Sequence, residues 1–279
     1  MRKIIDFRCR PNTTEYLSVI SGSIGTHVIR RLGLPTPMPG TIEEWMKGLD
    51  SNGVELAVFT GRQSGSTESF DIDNNYVAQV VKRFPKRVIG FAGIDPMRGP
   101  ESVRGIEHAV AQLGLRGIAL DPFGSAVQAN DRRLYPVYAK CAELDVPVVI
   151  TCGPLPFPGP RLDYGDVRCV DDVACDFPGL SIMINHTGWP WVAETIAIAF
   201  RHDNVYINTS LYAHLPGGHL FAEAANTILP ERIIFASGFP VSPIETALER
   251  LQTLPFTPAA LEAVLYGNAH RLLRKHGCI

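Results

Sequence analysis

The stretch LRGIALDPFGSAVQANDRRLYPVYAKCAELDVPVVITCG, residues 115–153, contains the strand–helix–strand unit from which the fold can be predicted. Its two ends, 115–122 and 146–153, are short apolar runs rich in β-branched residues, which is typical of strands. Between them, residues 131–145 have the character of an amphipathic helix. A strand, a helix and a second strand in this order predict a βαβ unit whose two strands are parallel.

The same alternation continues in both directions along the chain. Short apolar runs predict eight strands, which begin near residues 4, 55, 88, 116, 147, 181, 204 and 232. These runs are nearly continuous, as expected of parallel strands that are buried on both faces. Eight strands alternating with helices predict an α/β fold, a (β/α)8 TIM barrel, in a single domain over residues 1–279. An open doubly wound sheet is the alternative, but no Gly-x-Gly-x-x-Gly motif follows any strand.

The segment before the second strand illustrates how a helix is delimited in this sequence. TIEEWMKGLDSNG (41–53) begins with Thr41, a favourable N-cap residue, and has Glu44 three positions later, so we predict a capping box. Gly53 is expected to end this helix before the second strand begins.

The composition excludes several kinds of partner. The 279 residues are 46% hydrophobic and 19% charged, with a formal net charge of −2, so neither a nucleic acid nor a membrane surface is indicated as a partner. No apolar run approaches the roughly 18 residues of a membrane span, and the N-terminal run is too short for a signal peptide. The six cysteines are scattered without Cys-x-x-Cys spacing, so we expect a cytoplasmic protein with free thiols. A homo-oligomer is compatible with this composition.

The first predicted strand, IIDFRCRP (4–11), carries two arginines on an otherwise apolar run. Because strand side chains alternate between two faces, we expect Asp6, Arg8 and Arg10 to share one face. Charged groups in such a strand are costly to bury without partners. Either the arginines bind an anionic ligand at the mouth of the barrel, or they form buried salt bridges with Asp6 or Asp121.

The chemistry of such a barrel lies at the C-terminal ends of its strands, and the sequence places polar side chains there. In strand order they are Arg8 and Arg10, Thr60 and Arg62, Asp95, Asp121, Thr151, Asn185 and His186, Asn208 and Ser210, and Ser237. Tyr212 and His214 follow the seventh strand directly, which is a suitable position for contact with a substrate. Cys152 is expected to point outward if Thr151 points inward, so we do not expect a cysteine nucleophile.

Several of these segments together resemble the amidohydrolase-related metal-dependent hydrolases and decarboxylases. IIDFRCRP resembles the opening Ile-Asp-x-His-x-His-Pro of that family, and FPGLSIMINHTGWPW (177–191) resembles its Pro-x-Leu-x-Ile-x-x-x-His-x-Gly segment. RIIFASGFPVSPIETAL (232–248) is similar to its Gly-Ser-Asp-Phe-Pro segment, and YGNAHRLL (266–273) to its closing Gly-Asn-Ala-x-Arg-Leu-Leu. The resemblance covers nearly the whole chain, and it implies a TIM barrel with a divalent metal at its mouth.

The sequence departs from this family at most of the metal ligands. The two histidines of His-x-His correspond to Arg8 and Arg10, the fifth-strand histidine to Thr151, and the aspartate after the eighth strand to Gly238, which leaves His186. Arginine offers only donors and cannot ligate a cation, and a zinc-type site needs at least three protein ligands. We therefore expect no cofactor, and no residual divalent metal at His186. Two guanidinium groups are suited instead to a carboxylate or a phosphate.

A candidate site follows from these substitutions. We assign proton transfer to His186 and Asp121 as catalytic residues. Substrate contacts are assigned to Arg8, Arg10, Arg62, Thr151, Asn208, Tyr212 and Ser237. The loop over residues 153–166, rich in proline and glycine, is predicted to form a stiff wall or lid over the site.

Three functions are compatible with this site. The preferred one is a hydrolase or lyase, lactonase-like or decarboxylase-like, that acts on a small carboxylated, anionic substrate without a metal. Lactone-opening members of the family that work without metal are the precedent that the resemblance implies. The alternatives are a non-catalytic anion-binding relative, and a metal hydrolase whose ligands are rebuilt from His186, Asp121 and Asp95. The group that replaces the aspartate at Gly238 stays open.

Overall fold

Eight parallel strands form one sheet, in the order in which they occur along the chain, within the residues that the computed structural model describes: 3–20, 23–65, 71–154 and 160–279. They are β1 Ile4–Asp6, β2 Val54–Thr60, β3 Val88–Gly93, β4 Ile118–Leu120, β5 Val148–Thr151, β6 Ile182–Asn185, β7 Val205–Asn208 and β8 Ile233–Ile234. The predicted starts differ from the observed ones by no more than two residues.

Backbone hydrogen bonds also join the first and last segments of the sheet. Phe7 N donates to Phe235 O at 3.0 Å, and Gly238 N donates to Arg8 O at 3.0 Å. The chain that follows β1 therefore runs beside the chain that follows β8, and the sheet curls toward closure. The prediction of an α/β fold of the TIM-barrel type is confirmed.

The helices lie between the strands and cover the outer face of the sheet. They are α1 Thr14–Ile20, α2 Ser23–Arg31, α3 Ile42–Ser51, α4 Asn74–Arg83, α5 Pro100–Ala111, α6 Tyr135–Glu143, α7 Cys169–Asp176, α8 Val192–Arg201, α9 His219–Asn226, α10 Ile244–Gln252, α11 Pro258–Glu262 and α12 Asn268–Lys275. None of the helices in the described ranges is long and apolar enough to cross a membrane.

Helix α3 begins with the capping box that its sequence predicts. The Thr41 hydroxyl accepts a hydrogen bond from Glu44 N at 3.1 Å, and the Glu44 carboxylate accepts one from Thr41 N at 2.7 Å. Gly53 follows the helix with φ of +71°, a left-handed conformation that glycine adopts without strain. This turn leads directly into β2.

The interior of the barrel is filled by apolar side chains. Ile5, Phe7, Phe91 and Met183 are among the buried residues of this inner cluster, and the rings of Phe7 and Phe91 meet edge to face at 5.7 Å. A second and larger apolar cluster packs the helices against the outside of the sheet. Because the barrel is filled below its mouth, the space for a ligand lies above the inner cluster, at the C-terminal ends of the strands.

The orientation of β1 corrects one prediction. Ile5 and Phe7 belong to the cluster inside the barrel, so Asp6, which lies between them, faces the helices. It therefore does not share a face with Arg8 and Arg10. The regular strand ends at Asp6, and strict alternation of side chains no longer applies to the residues that follow it.

The buried carboxylate of Asp6 links the two ends of the sheet. Its Oδ1 accepts hydrogen bonds from Arg8 N at 3.2 Å and from Ser237 N at 2.9 Å. Burial raises the pKa of the Asp6 carboxyl group above its ordinary value, whereas the hydrogen bonds from Ser237 oppose that rise. Asp6 thus fixes the backbone from which Arg8 enters the mouth of the barrel.

Candidate active site

A cavity opens at the C-terminal ends of the strands, beside helices α1 and α2. One side of it is formed by the charged or polar side chains of Arg8, Arg10, Arg62 and His186. The other side is apolar, and it is lined by Tyr16, Ile20, Val28, Leu211 and Val241. Guanidinium groups that face an apolar wall are suited to a small molecule with acid groups and a hydrocarbon part.

The three arginines are buried, but they differ in their partners. Arg8 is 8% exposed, Arg10 6% and Arg62 8%. Arg62 Nε lies 2.5 Å from Asp121 Oδ2, and Asp121 Oδ1 accepts a hydrogen bond from Gly124 N at 2.9 Å. Asp121 is therefore the counter-ion of Arg62.

Arg10 and Arg8 are held by neutral groups. Arg10 Nε donates to Thr60 O at 2.8 Å, and the Arg10 guanidinium lies 6.0 Å from the centre of the Tyr16 ring, within the range of a cation–π contact. Arg8 donates from Nη1, and from Nε at 3.3 Å, to Asn185 when the carboxamide of Asn185 turns its oxygen toward the guanidinium.

No carboxylate among the described residues forms a salt bridge with Arg8 or Arg10. Asp6 accepts from backbone N–H groups, and Asp121 pairs with Arg62. Burial, and next the charge of Arg10, hold the pKa of Arg8 well below its ordinary value. The salt-bridge alternative for Arg8 and Arg10 is therefore not the arrangement of the described chain, and the cavity retains an excess of positive charge.

His186 follows β6 and lines the same cavity. Its Nδ1 lies 2.9 Å from Ser210 Oγ and 3.2 Å from Ser210 O. A proton on Nδ1 that is donated to Ser210 leaves Nε2 as the acceptor of a neutral ring. Burial, and next the charge of Arg8, hold the pKa of His186 well below its ordinary value. The imidazole is therefore neutral near pH 7.

Hydrogen bonds from the backbone of His186 and Ser210 to Asn208 accompany a left-handed backbone conformation of His186. The side-chain oxygen of Asn208 accepts from His186 N at 3.3 Å and from Ser210 N at 3.2 Å. His186 has φ of +57° and Thr187 has φ of +56°, which costs a non-glycine residue about 1–3 kcal/mol where the surroundings do not relieve it. Asn208 thus contacts the histidine backbone rather than the cavity.

Gly238, which by the sequence resemblance corresponds to the family's aspartate, lies against Leu211. Gly238 has φ of +78°, and a Cβ atom there would lie 2.7 Å from Leu211 Cδ2. Leu211 itself has φ of +63° and lines the cavity. A hydrocarbon side chain thus fills the space next to Gly238.

Two other predicted residues lie at the edge of the site. Thr151 is buried, and its hydroxyl lies 3.4 Å from the carboxamide of Asn185. Tyr212 places its ring 5.3 Å from the ring of His186, and its hydroxyl donates to Pro154 O at 2.9 Å. Tyr212 therefore supports the histidine from the side and anchors the loop that follows β5.

Ser237 and His214 line a separate small cavity on the far side of Leu211, together with Arg250. The Ser237 hydroxyl accepts from Phe239 N at 2.9 Å. Burial, and next the charge of Arg250, lower the pKa of His214 to about 4. Neither Ser237 nor His214 lines the arginine cavity.

The predicted loop over residues 153–166 is described only in part, because residues 155–159 lie outside the described residues. Gly153 N donates to Gly165 O at 2.7 Å, so the two ends of the loop are joined. Its proposed role as a wall or lid stays a prediction.

The sequence did not indicate the apolar wall of the cavity. Tyr16 and Ile20 lie on α1 and Val28 lies on α2, in a segment with helical character but no strand-end position. Asn185 contacts Arg8, and Ser210 contacts His186. Both are polar residues at the C-terminal ends of strands, and this position could have indicated that they contact other residues of the site.

The hypothesis of rebuilt metal ligands requires His186, Asp121 and Asp95 to converge. Asp95 Oδ1 accepts from Met97 N at 2.9 Å, and Asp95 lines a different pocket beside α4 and α5. In the described part of the chain, these three side chains do not form a group with mutually close ligand atoms.

Comparison with known proteins gives the family. The Amidohydrolase family model matches residues 54–275. This chain belongs to the amidohydrolase family. An uncharacterized TIM-barrel protein from Bordetella bronchiseptica has a similar structure, with a TM-score of 0.86, 33% sequence identity and coverage of 99% of both chains.

Two curated relatives are a hydratase and a decarboxylase. The 2-keto-4-carboxy-3-hexenedioate hydratase of a Sphingobium species is 28% identical over 216 residues, which are 65% of this chain and 61% of the hydratase. The gamma-resorcylate decarboxylase of a Polaromonas species is 24% identical over 248 residues, which are 72% of this chain and 74% of the decarboxylase. The chain thus spans less than two thirds of the hydratase.

One expectation about this site is overturned by a related structure. A dihydroxybenzoic acid decarboxylase from Polaromonas, with a TM-score of 0.71, 20% identity and coverage of 100% of this chain and 99% of that one, contains bound manganese and the inhibitor 2-nitroresorcinol. The prediction that the protein has no cofactor is therefore wrong, because solved structures with a similar fold contain bound manganese and so indicate a metal cofactor.

The side chains of this cavity nevertheless do not match a histidine-pair metal site. Arg8 and Arg10 can only donate, and Leu211 covers Gly238. Among the described residues that line the cavity, His186 is the one histidine, and there is no cysteine, aspartate or glutamate. The family's ligand set is thus not reproduced here.

Proposed function

We propose that the protein is a lyase of the hydratase type, which adds water to a carbon–carbon double bond of a small unsaturated molecule with at least two carboxylates. The observation that carries the proposal is the position of Arg8 and Arg10, two buried guanidinium groups that have no carboxylate partner among the described residues, beside the neutral imidazole of His186. Each of these groups has a separate task in the proposed reaction.

The two uncompensated guanidinium groups determine the charge of the substrate. Arg62 is already neutralised by Asp121, whereas Arg8 and Arg10 contact a carboxamide and a backbone carbonyl. Two carboxylates would neutralise both, and each charge-assisted hydrogen bond would contribute about 1.5–3 kcal/mol. The apolar wall would contact the hydrocarbon part of the same molecule.

His186 is the proposed proton carrier. Its Nδ1 is committed to Ser210, so Nε2 takes a proton from water while the water oxygen bonds to the β-carbon of the double bond. Negative charge then moves onto the conjugated carboxylate or keto oxygen, where an arginine stabilises it. The imidazolium returns its proton to the α-carbon, so one C–O bond and one C–H bond replace the π bond.

Asp121, which the sequence suggested as a catalytic residue, has a different task in this proposal. Its carboxylate holds Arg62 at 2.5 Å and is bonded on its other oxygen by Gly124 N. Asp121 is therefore a positioning residue that acts through Arg62.

The hydratase relative supports water addition, and the decarboxylase relative supports a second candidate function. In decarboxylation, the same histidine would deliver a proton to the carbon from which carbon dioxide leaves. An arginine on the departing carboxylate stabilises the ground state and would slow that step, so the arginine pair favours hydration.

Turnover in ¹⁸O-labelled water separates these possibilities. Unsaturated dicarboxylates and tricarboxylates are incubated with the purified protein, with and without added manganese, and the products are examined by mass spectrometry. We expect loss of the conjugated absorbance and a product heavier by one labelled water. Release of carbon dioxide instead would favour the decarboxylase, and no reaction under either condition would favour a non-catalytic anion-binding protein.

Two histidine variants test the role of the ring. His186→Gln is expected to lower kcat by roughly 10²–10⁴-fold, the usual contribution of a positioned acid–base group, while the substrate still binds. His270→Gln is the matched control, because His270 of α12 stacks on Tyr266, with ring centres 5.2 Å apart, and does not line the cavity. Equal activity of the two variants would remove His186 from the mechanism.

A further inference from the structure

A second cluster of chemically active side chains lies on the outer layer of helices. Asp171 and Cys175 lie four residues apart on α7 and so on one face of that helix, and His202 follows the end of α8. One ligand atom from each residue lies within 4.8 Å of the other two. None of the three lines the cavity of the candidate active site.

The distances within this cluster are close to those of a metal site. His202 Nε2 lies 2.7 Å from Asp171 Oδ1 and 4.0 Å from Cys175 Sγ. In a tetrahedral zinc site with bonds of about 2.0–2.3 Å, ligand atoms lie roughly 3.3–3.8 Å apart. Small side-chain rotations would therefore convert the cluster into three corners of a tetrahedron.

A positive charge already lies in part of this space. Arg201 Nη1 donates to Asp171 Oδ2 at 2.7 Å, and Arg201 Nη2 donates to Cys175 Sγ at 3.6 Å. The Arg201 side chain is 61% exposed, so its guanidinium can turn into water at small cost. Asp171 thus already binds one cationic group beside Cys175, and a metal ion would compete with Arg201 for this carboxylate.

We propose that Asp171, Cys175 and His202 bind one divalent, sulfur-preferring metal ion of the zinc type, with water as the fourth ligand. Oxygen, thiolate sulfur and imidazole nitrogen are ligands that zinc takes in proteins. The ion can enter directly, because Cys175 is exposed. Binding releases the thiol proton, so the affinity rises with pH.

Cobalt provides a spectroscopic test that is independent of turnover. Co²⁺ is titrated into the protein, and the thiolate-to-cobalt charge-transfer band is followed in the near ultraviolet. We expect saturation at one equivalent and loss of the band when Zn²⁺ is added. Cys175→Ser removes the thiolate ligand and is expected to abolish the band. His202→Gln is expected to weaken cobalt binding at least about tenfold, and Arg201→Ala to strengthen it.

The control is Cys278→Ser, because Cys278 is a partly exposed thiol outside the cluster. It should leave the cobalt titration unchanged, and the thermal unfolding of each variant shows whether the fold is retained. Absence of a thiolate band in the wild-type protein, or a band that survives in a folded Cys175→Ser variant, would overturn the proposal. In that case the cluster is a salt bridge of Asp171 with Arg201 and a hydrogen bond of Asp171 with His202.

Discussion

Leu211 occupies the space into which a side chain at Gly238 would project. A Cβ atom built on Gly238 lies 2.7 Å from Leu211 Cδ2 and 2.9 Å from Leu211 Cγ. Both residues have positive φ, +63° for Leu211 and +78° for Gly238. A side chain at position 238 and the observed position of Leu211 are therefore incompatible, and Leu211 makes this side of the cavity apolar.

The contact predicts coupling between these two positions. Gly238→Asp should lower the free energy of unfolding by about 1–3 kcal/mol, because the new side chain is forced against Leu211. Leu211→Ala provides room, so the double variant should be more stable than the sum of the two single effects by about 0.5–3 kcal/mol. Urea unfolding of the four proteins measures this coupling.

Gly33→Asp separates backbone strain from the contact. Gly33 has φ of +62°, and a Cβ atom there would meet nothing within 4 Å. Its substitution therefore introduces the backbone strain of a positive φ but no steric clash like the one between position 238 and Leu211. It should cost less than Gly238→Asp. Strictly additive effects at positions 211 and 238 would show that Leu211 does not restrict the side chain at 238.

The buried charge of Arg8 should destabilise the folded protein when no ligand is bound. Arg8 is buried, no carboxylate in the described ranges pairs with it, and burial lowers its pKa. Arg8→Met should therefore leave the stability unchanged or raise it by about 1 kcal/mol or more, and should abolish stabilisation by a dicarboxylate. Thermal unfolding with and without the ligand tests both effects. Arg271→Met is the control, because the side chain of Arg271 on α12 is 54% exposed. A large loss of stability without ligand would mean that Arg8 is needed for folding.

Arg10 should contribute strongly to ligand affinity. Arg10→Ala is expected to weaken binding of a dicarboxylate by roughly 2–4 kcal/mol, since a desolvated charge-assisted pair is lost. Arg250→Ala is the matched control, because Arg250 lines the neighbouring small cavity and not this one. Calorimetric titration compares them, and similar losses in both variants would point to a general effect of positive charge.

His214 should make the protein sensitive to acid. Its pKa is lowered from 6.5 to about 4, so the unfolded chain binds a proton that the folded chain rejects. Stability from this group is present above pH 6.5 and is lost as the pH falls from there toward about 4. His214→Gln should reduce this loss, as measured by urea midpoints across that range. An unchanged slope would show that the ring titrates normally.

Local sequence patterns were sufficient for the fold and for part of the site. The alternation of apolar runs located the strands, and the Thr41 and Glu44 spacing predicted the start of α3. Because Arg8, Arg10 and His186 lie at the C-terminal ends of predicted strands, the sequence predicted that they lie close together. In the structure these three side chains line one cavity. A single domain, a cytoplasmic location and any homo-oligomer stay predictions.

Contacts between distant segments could not be predicted in this way. The pairing of Asp121 with Arg62 depends on how two loops meet, and the face of Asp6 depends on where the regular strand ends. The contact of Leu211 with Gly238 could be predicted only if the backbone conformations of both residues were known, and both have positive φ. The prediction of no cofactor failed because it considered only the residues at the positions of the family's metal ligands. A solved structure with a similar fold contains manganese.

A crystal structure with an unsaturated dicarboxylate bound would show whether Arg8 and Arg10 hold the substrate. We expect one carboxylate on Arg8 and one on Arg10, each within hydrogen-bond distance of about 3 Å, with the double bond or a water molecule next to His186 Nε2. A dicarboxylate bound elsewhere, with Arg8 and Arg10 still in contact with protein groups alone, would contradict it.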